Sequence, residues 1–309
     1  MHISPEMQTA WTEYWKTGNF ESLPDDQAAG RLGELESAWA DFFLRLPGGA
    51  RLLDLATGGG DVIRRAIALN RNLRVAGVDI ADLSAVSATL PGIELVGNTE
   101  LSRLPFADAA FDAVASQFGV EYADPAAATR EAVRVLIPGG HGHFVIHHSG
   151  GAITQGVAAN LAADSAVFAG SNAFRLGRIA FELRQRSAPS AEIMRAEAEF
   201  RNSVGLLQSR VRNDRAFGTA RNVVGFLTRL AGQPDALPPA EALHRLDTVE
   251  AHNRARTLRK QAQLDAALDR DGIGKFMKHL TNAGAVVGTL QELKYPMGRP
   301  MAWSLTFHR

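Results

Sequence analysis

The segment Leu52–Asp61, with the sequence LLDLATGGGD, is the most informative part of the chain. An apolar run that contains Asp54 leads into the glycines Gly58–Gly60, and a helical pattern starts at Asp61. Glycine tolerates a positive φ and lets the backbone approach a ligand closely. A strand, a glycine-rich turn and a helix in this order predict a ligand-binding loop, although other strand-to-helix turns also collect glycines.

The sequence on both sides of this loop alternates short apolar runs with amphipathic stretches. Such alternation indicates βαβ units and a parallel sheet. A turn at Pro296–Pro300 between two apolar runs near the C-terminus predicts a hairpin. The predicted strands are 51–56, 73–79, 93–96, 113–117 and 143–148, and the predicted helices are 61–70, 81–90, 125–136 and 275–282.

Composition excludes several classes of protein. The 309 residues have a formal net charge of zero, so no general attraction to nucleic acid or to an anionic membrane is expected. The absence of cysteine excludes disulfide frameworks and thiolate zinc sites. With neither a secretory signal pattern nor an apolar run of about 20 residues, we expect a cytoplasmic protein.

An acid follows the glycine loop at a characteristic distance. Asp79 lies nineteen residues beyond Gly60, at the end of the next predicted strand. A carboxylate there can accept hydrogen bonds from the ribose hydroxyls of a nucleoside cofactor. The glycine pattern of dinucleotide-binding loops is incomplete here, because Ile63 or Arg64 stands at its third glycine position. Asp61, at the start of the predicted helix, would also repel a phosphate. The pattern therefore favours a cofactor that contains adenosine but no pyrophosphate, and it argues against the hypothesis of an NAD-dependent dehydrogenase.

Asp54–Asp61 resembles the first motif of class I S-adenosylmethionine-dependent methyltransferases. It is especially similar to the ubiquinone/menaquinone-biosynthesis branch, in which alanine replaces the first glycine, as Ala56 does here. The segments Leu104–Asp108 and Arg134–Gly140 resemble the family's LPF and PGG stretches before strands four and five. The resemblance covers roughly residues 50–148. It implies an α/β fold with a Rossmann-like, mostly parallel seven-stranded sheet, a terminal antiparallel hairpin and a helical insertion after strand five.

The resemblance also implies a domain organisation and a set of cofactor residues. Residues 1–50 would form helices that cover the cofactor, and 51–150 and 270–309 would form the methyltransferase core. Independently of the resemblance, residues 151–269 contain almost no strand signal and follow the fifth predicted strand, so we expect a helical insertion that serves as a substrate lid with a possible dimer contact. S-adenosylmethionine would be the cofactor and S-adenosylhomocysteine its product. The expected cofactor-binding residues are Asp54, Ala56, Thr57, Gly58, Gly60, Asp79, Ile80, Asn98, Thr99 and Gln117.

Candidates for a catalytic base lie at the predicted strand ends. A hydroxyl acceptor can require a base beside it, whereas a carbon or carboxylate acceptor can do without one. His147 and His148 end the fifth predicted strand, and adjacent strand residues point to opposite faces, so at most one of them is expected to act. Glu121 and Tyr122 are expected to pack or cap. No carboxylate cluster completes a metal site with the neighbouring histidines, so no metal is expected.

The insertion has a mild positive charge. In residues 151–269, 15 arginines and one lysine oppose 12 acidic residues, a surplus of four. A solvated helical surface explains this surplus, and arginines such as Arg178 and Arg184 could instead bind an acidic group.

The function expected is methyl transfer to a small-molecule acceptor, at oxygen, by in-line displacement, in secondary metabolism. The alternatives are a carboxyl methyltransferase that acts on a peptide and a cofactor-binding protein without transferase activity. A nucleic-acid methyltransferase is disfavoured by the zero net charge. It is also disfavoured because Gln117–Val120 stands where an Asn/Asp-Pro-Pro-aromatic motif would follow strand four.

Overall fold

The computed structural model describes residues 4–18, 23, 30 and 32–309. The rest of the expected N-terminal helical region (1–3, 19–22, 24–29 and 31) lies outside the described residues. Two short 3-10 segments occur at Val120–Tyr122 and Arg215–Phe217. The strands are β1 Arg51–Leu55, β2 Arg74–Val78, β3 Glu94–Val96, β4 Phe111–Gln117, β5 Leu136–His147, β6 Val286–Lys294 and β7 Pro300–His308. The α-helices are α1 Pro5–Lys16, α2 Gly33–Arg45, α3 Asp61–Leu69, α4 Ser84–Ser87, α5 Pro125–Val135, α6 Ala152–Phe168, α7 Ala173–Gln185, α8 Ser190–Arg210, α9 Gly218–Gly232, α10 Pro239–Ala266 and α11 Arg270–Asn282.

The strands form one seven-stranded sheet in the order β3-β2-β1-β4-β5-β7-β6. Strands β1 to β5 pair in parallel, and β7 pairs antiparallel with both β5 and β6. The expected α/β fold with its terminal hairpin is therefore confirmed. The order reverses between β1 and β4, and ligands of open α/β sheets bind outside the carboxyl ends of strands at such a point.

Two segments differ from the sequence prediction. The helix predicted over 81–90 is a single turn, Ser84–Ser87, because Asp82 accepts a hydrogen bond from the Ser84 amide and Pro91 soon follows. Strand β5 begins at Leu136, well before the predicted start at His143. Its early part pairs irregularly: Leu136 lies opposite Phe111 and His141 opposite Ala113, so the Pro138–Gly140 turn is absorbed into the strand.

Buried side chains cover both faces of the sheet. Leu53 and Leu55 of β1 join a cluster that includes Phe276 of α11, whereas Leu52 joins the opposite cluster with Trp39 of α2. This alternation follows from the period of two along a strand. Burial of each such side chain stabilises the fold by about 1.5–3 kcal/mol. The core thus fixes the strands whose carboxyl ends form the candidate site.

The chain divides into two compact units. The first comprises Met1–Gln155 and Ala262–Arg309, and the second comprises Gly156–Gln261. The second unit is helical and has its own apolar core, in which Phe181, Phe200, Leu227 and Leu246 are fully buried. In the part of the chain that the structure describes, no helix has the length and apolar character needed to cross a bilayer.

Candidate functional site

Backbone hydrogen bonds hold three strand ends together at the carboxyl edge of the sheet. The Thr57 amide donates to Val78 O at 2.9 Å, and the Asp79 amide donates to Val96 O at 3.2 Å. The Thr99 amide in turn donates to Asp79 O at 2.9 Å. These hydrogen bonds therefore fix the loops that follow β1, β2 and β3 relative to one another.

The glycine loop after β1 needs its small residues. Gly58 and Gly60 have φ of +51° and +83°, values that cost side-chain-bearing residues about 1–2 kcal/mol. A Cβ on Gly58 would overlap the indole of Trp15, and one on Gly119 would overlap the Cβ of Ala56. Ala56 has a φ of +55° despite its side chain, and such conformations cluster at functional sites. The loop is therefore shaped for close approach.

The edge formed by these loops opens into a cavity of about 290 Å³. This volume is near the lower end of the range for small-molecule sites, about 300–1,000 Å³. Trp11 of α1 stacks on Trp15 with a ring separation of 6.2 Å and meets Tyr122 edge-on at 5.6 Å. The cavity is lined by Trp11, Trp15, Ala56, Asp79, Ile80, Thr99, Glu100, Leu101, Ser102, Phe118, Gly119, Tyr122, Ala123 and Asp124.

Asp79 is the buried acid of this cavity. Its Oδ2 accepts a hydrogen bond from the Gly58 amide and its Oδ1 accepts one from the Ala81 amide, both at 2.8 Å. Burial raises the pKa of the carboxyl, and these amides partly oppose the rise. A carboxylate has about four acceptor positions, so these amides leave capacity for a ligand hydroxyl. Asp79 can thus bind a ribose while it keeps the loop in place.

Asp54 is buried beneath the glycine loop. Its Oδ2 accepts a hydrogen bond from Thr57 Oγ1 at 2.6 Å, while its Oδ1 has no hydrogen-bond partner among the described residues. Burial raises the pKa of Asp54 to about 8, and the nearby charges of Asp79 and Asp61 add to the rise. A cationic ligand group nearby would favour ionised Asp54 and relieve this repulsion. The three acids therefore favour a cation over a pyrophosphate.

The ten residues predicted to bind the cofactor do not all meet the cavity. Ala56, Asp79, Ile80 and Thr99 line it. Asp54, Thr57, Gly58 and Gly60 belong to β1 and the glycine loop that supports it. Two of the ten have hydrogen bonds elsewhere. Asn98 Oδ1 accepts a hydrogen bond from Gln8 Nε2 at 2.9 Å. The Gln117 amide accepts one from Trp39 Nε1 at 2.6 Å and donates one to Asp61 Oδ2 at 3.2 Å.

The two candidate histidines differ in their surroundings. His147 Nδ1 lies 2.8 Å from Glu121 Oε1, which also accepts a hydrogen bond from the His147 amide at 2.9 Å. Its ring centre lies 4.3 Å from that of Phe118, a residue of the cavity wall. His148 instead stacks on Trp303 at 4.5 Å, and its Nδ1 accepts a hydrogen bond from the Gly150 amide. Only His147 is oriented by a buried carboxylate.

From the sequence we predicted a packing or capping role for Glu121 and no role for Gly119. The structure shows that Glu121 orients His147 and that Gly119 lets the loop after β4 pass close to Ala56. The available signal was positional, because a carboxylate just beyond one strand end can reach the end of the neighbouring strand. Among residues 4–18, 23, 30 and 32–309, no three His, Asp or Glu side chains are grouped to hold a metal ion.

Comparison with known proteins agrees with this geometry. Residues 53–144 match the family model of a methyltransferase domain. A demethylmenaquinone methyltransferase from Thermus thermophilus is 38% identical over 96 residues, which are 29% of this chain and 44% of that protein. The chain thus spans less than half the length of this curated relative. The segment that matches the family model contains the end of β1, the glycine loop, Asp79 and β4. Residues 53–144 therefore match a methyltransferase domain, in agreement with the resemblance seen in the sequence.

Solved structures of similar proteins include two methyltransferases. One is the 1,6-didemethyltoxoflavin-N1-methyltransferase of Burkholderia thailandensis, with a TM-score of 0.46 and 11% identity over 100% of this chain and 92% of that one. The other is an S-adenosylmethionine-dependent methyltransferase from Mesorhizobium loti, with a TM-score of 0.43 and 16% identity over 89% and 100% of the two chains.

Proposed function

We propose that the protein transfers a methyl group from S-adenosylmethionine to an oxygen atom of a small-molecule acceptor. The observation that carries this proposal is the coincidence of the family match over residues 53–144 with the cavity beside Asp79. The match supports the class of chemistry. The cavity supports a nucleoside ligand, because it combines one buried carboxylate with aromatic and aliphatic walls.

The electrostatics of the glycine loop support this cofactor rather than a dinucleotide. Asp54, Asp61 and Asp79 form a group of acids whose mutual repulsion contributes to the raised pKa of Asp54. S-adenosylmethionine is positively charged at its sulfonium and amino groups, and it has no phosphate. The Oδ1 atom of Asp54, which lacks a partner among the described residues, fits an ammonium or water donor.

His147 is the proposed base. Glu121 Oε1 accepts a hydrogen bond from His147 Nδ1–H, which favours the neutral tautomer in which Nε2 is unprotonated. A neutral imidazole nitrogen can then take the proton of an acceptor hydroxyl as the new bond to oxygen forms. Glu121 is a positioning residue in this scheme, because it acts through His147.

The remaining residues bind, orient and exclude water. When bound, S-adenosylmethionine supplies an electrophilic methyl group on sulfur, so the protein has mainly to align the acceptor for in-line attack. Asp79 and Ile80 would hold the ribose and adenine, and the glycine loop the methionine part. Trp11 and Trp15, which line the cavity, would keep water from the reacting centre.

The proposal is tested by transfer of a radiolabelled methyl group from S-adenosylmethionine to a panel of acceptors. The panel contains phenols and alcohols, amines, carboxylic acids and peptides with free carboxyl groups. The expected result is label on a hydroxyl compound, stable to mild base. Base-labile label on a peptide would instead identify a carboxyl methyltransferase. Cofactor binding without turnover on any acceptor would support a binding protein and overturn the proposal.

Three further expectations remain predictions from the sequence. They are a cytoplasmic location, a role in secondary metabolism, and the use of residues 151–269 as a substrate lid and dimer contact. The acceptor panel tests the role in secondary metabolism, because such an enzyme should methylate a hydroxylated secondary metabolite in preference to simple phenols and alcohols.

A further inference from the structure

The indole of Trp15 lies directly against the glycine loop. A Cβ on Gly58 would come within 2.4 Å of Trp15 Cζ2 and 2.9 Å of Trp15 Cη2, so the six-membered ring of the indole contacts the backbone of the loop. The same side chain lines the cavity beside Asp79. Trp15 therefore stands next to any part of a ligand that approaches the glycine loop.

Helix α1, which contains Trp15, is anchored to the carboxyl edge of the sheet. Gln8 Nε2 donates a hydrogen bond to Asn98 Oδ1 at 2.9 Å, and the Asp82 amide donates one to Thr12 Oγ1 at 3.0 Å. These two bonds join α1 to the loops that follow β2 and β3. Trp15 is therefore held against the glycine loop by an anchored helix.

The wall of the cavity is suited to a positive charge. Its aromatic and acidic members are Trp11, Trp15, Phe118, Tyr122, Asp79, Glu100 and Asp124. None of the described residues that line the cavity is lysine, arginine or histidine. An aromatic ring attracts a cation that lies over its face within about 6 Å, and exclusion of water strengthens this attraction. The wall therefore stabilises a bound cation more than a neutral group of the same shape.

Methyl transfer to an acceptor oxygen changes the charge of the cofactor at one atom. The sulfur of S-adenosylmethionine is a sulfonium cation. When the acceptor oxygen takes the methyl group, the bond between sulfur and carbon breaks and its electron pair stays on sulfur, which becomes the neutral thioether of S-adenosylhomocysteine. The two molecules share the same adenosine and amino-acid groups. A residue that responds to this charge therefore distinguishes the cofactor from its product.

We propose that Trp15 is a specificity residue that stabilises the charged cofactor relative to its neutral product. Its indole attracts the sulfonium, and the attraction is lost on methyl transfer, so that the product leaves more readily. Phe118 and Tyr122 instead pack against His147 and Trp11. The inference rests on the proposed function, in which the methionine part of the cofactor lies at the glycine loop.

Calorimetric titration of the full-length protein with S-adenosylmethionine and S-adenosylhomocysteine tests this role. The quantity measured is the dissociation constant of the product divided by that of the cofactor. Trp15→Leu removes the ring, and this ratio should fall about 2- to 30-fold, the range of a cation–π interaction. Trp15→Phe keeps a ring and should lower the ratio less. An analogue in which a protonated amine replaces the methylsulfonium should lose affinity together with the cofactor, because it keeps the positive charge.

A matched control and a second variant complete the experiment. Glu13→Gln changes a charge on the same helix but outside the cavity wall, so it should leave the ratio unchanged. Trp15→Met also lacks a ring, and it provides the same comparison if Trp15→Leu does not fold.

The outcomes separate this inference from the proposed function. If Trp15 only packs against the loop, Trp15→Leu and Trp15→Met weaken binding of both ligands equally. An unchanged ratio would therefore overturn the role of Trp15 and leave the proposed function intact. An equal fall of the ratio in Glu13→Gln would also overturn this role, because the general charge of the protein would then explain it. Failure of the natural protein to bind either ligand would overturn both proposals.

Discussion

The glycine loop of the first unit and the helices of the second use the same kinds of residue differently. In the loop, Gly58 is required by a positive φ and by the nearby indole of Trp15. Gly205 lies in the middle of α8, exposed and with open space around it. Acids show the same contrast: Asp79 and Asp54 are buried at or beneath the glycine loop, whereas Asp247 and Glu250 form ion pairs with Arg178 within the helical unit. The first region is shaped for a ligand, and most of the second for packing.

The contrast explains where a family signal can be found. A loop that must adopt unusual backbone angles and approach a ligand fixes the identity of its residues, whereas an amphipathic helix accepts many sequences. The family match accordingly covers residues 53–144 and none of the second unit.

The largest effect is expected at His147. His147→Gln should lower kcat for a hydroxyl acceptor by about 10²–10⁴-fold, the usual contribution of a positioned base. Cofactor affinity should stay within about twofold, because the substitution removes no group from the cavity lining. Rapid-quench single-turnover kinetics separate the methyl-transfer step from binding.

His148→Gln is the matched control for this prediction, because His148 stacks on Trp303 and is not held by Glu121. Glu121→Gln should reduce kcat less than His147→Gln and shift the pH profile of kcat, since the amide cannot stabilise a protonated imidazole. Equal losses in the two histidine variants would contradict the assignment of His147.

A pH-dependent stability difference is expected at Asp54. The folded state keeps the Asp54 proton up to about pH 8, whereas the unfolded carboxyl loses it near its ordinary pKa of 3.8. The folded state binds more protons between these values, so its stability falls as the pH rises through that range. Relative to Asp54→Asn, the natural protein should lose on the order of 1.4 kcal/mol per pH unit between about pH 5 and 8.

Urea denaturation followed by tryptophan fluorescence checks this directly. All four tryptophans (Trp11, Trp15, Trp39 and Trp303) lie in the first unit, so their fluorescence reports that unit alone. Free energies of unfolding that run parallel for the two proteins from pH 5 to 8 would refute a raised pKa for Asp54.

Substitution of Gly58 and of Gly205 by alanine is expected to have smaller effects on stability, with opposite signs. Gly58→Ala should destabilise the first unit by about 1–3 kcal/mol, through its positive φ and the overlap with Trp15. Gly205→Ala should stabilise the second unit by about 0.5–1 kcal/mol, because alanine has the higher helix propensity. Tryptophan fluorescence measures the stability of the first unit, and circular dichroism at 222 nm follows the unfolding of the helices of the second. If both substitutions were destabilising, the proposed difference between the glycine loop and the helical unit would be wrong.

Much of the fold could be predicted from the sequence, because it depends on local periodicity. The strands, the terminal hairpin and most helices of the core followed from apolar runs and turn residues. The prediction failed where tertiary pairing overrode a local signal. The Pro138–Gly140 turn indicated a loop, yet pairing with β4 and β7 draws this segment into β5.

The candidate site could be predicted only in part. Asp79 followed from its distance to the glycine loop, a spacing that βαβ geometry imposes. The hydrogen bond between Glu121 and His147 could not be predicted, because it joins residues that are 26 positions apart and follow different strands.

Calorimetric titration with S-adenosylmethionine, S-adenosylhomocysteine and NAD shows whether the cavity beside Asp79 binds this cofactor. We expect binding of the first two, no binding of NAD, and a loss of about 10- to 150-fold in affinity in Asp79→Ala, the cost of one hydrogen bond to a charged group. Asp82→Ala, a change three residues away and outside the cavity lining, should bind like the natural protein. Binding of NAD alone, or equal cofactor affinity in Asp79→Ala and the natural protein, would rule out this assignment of the site.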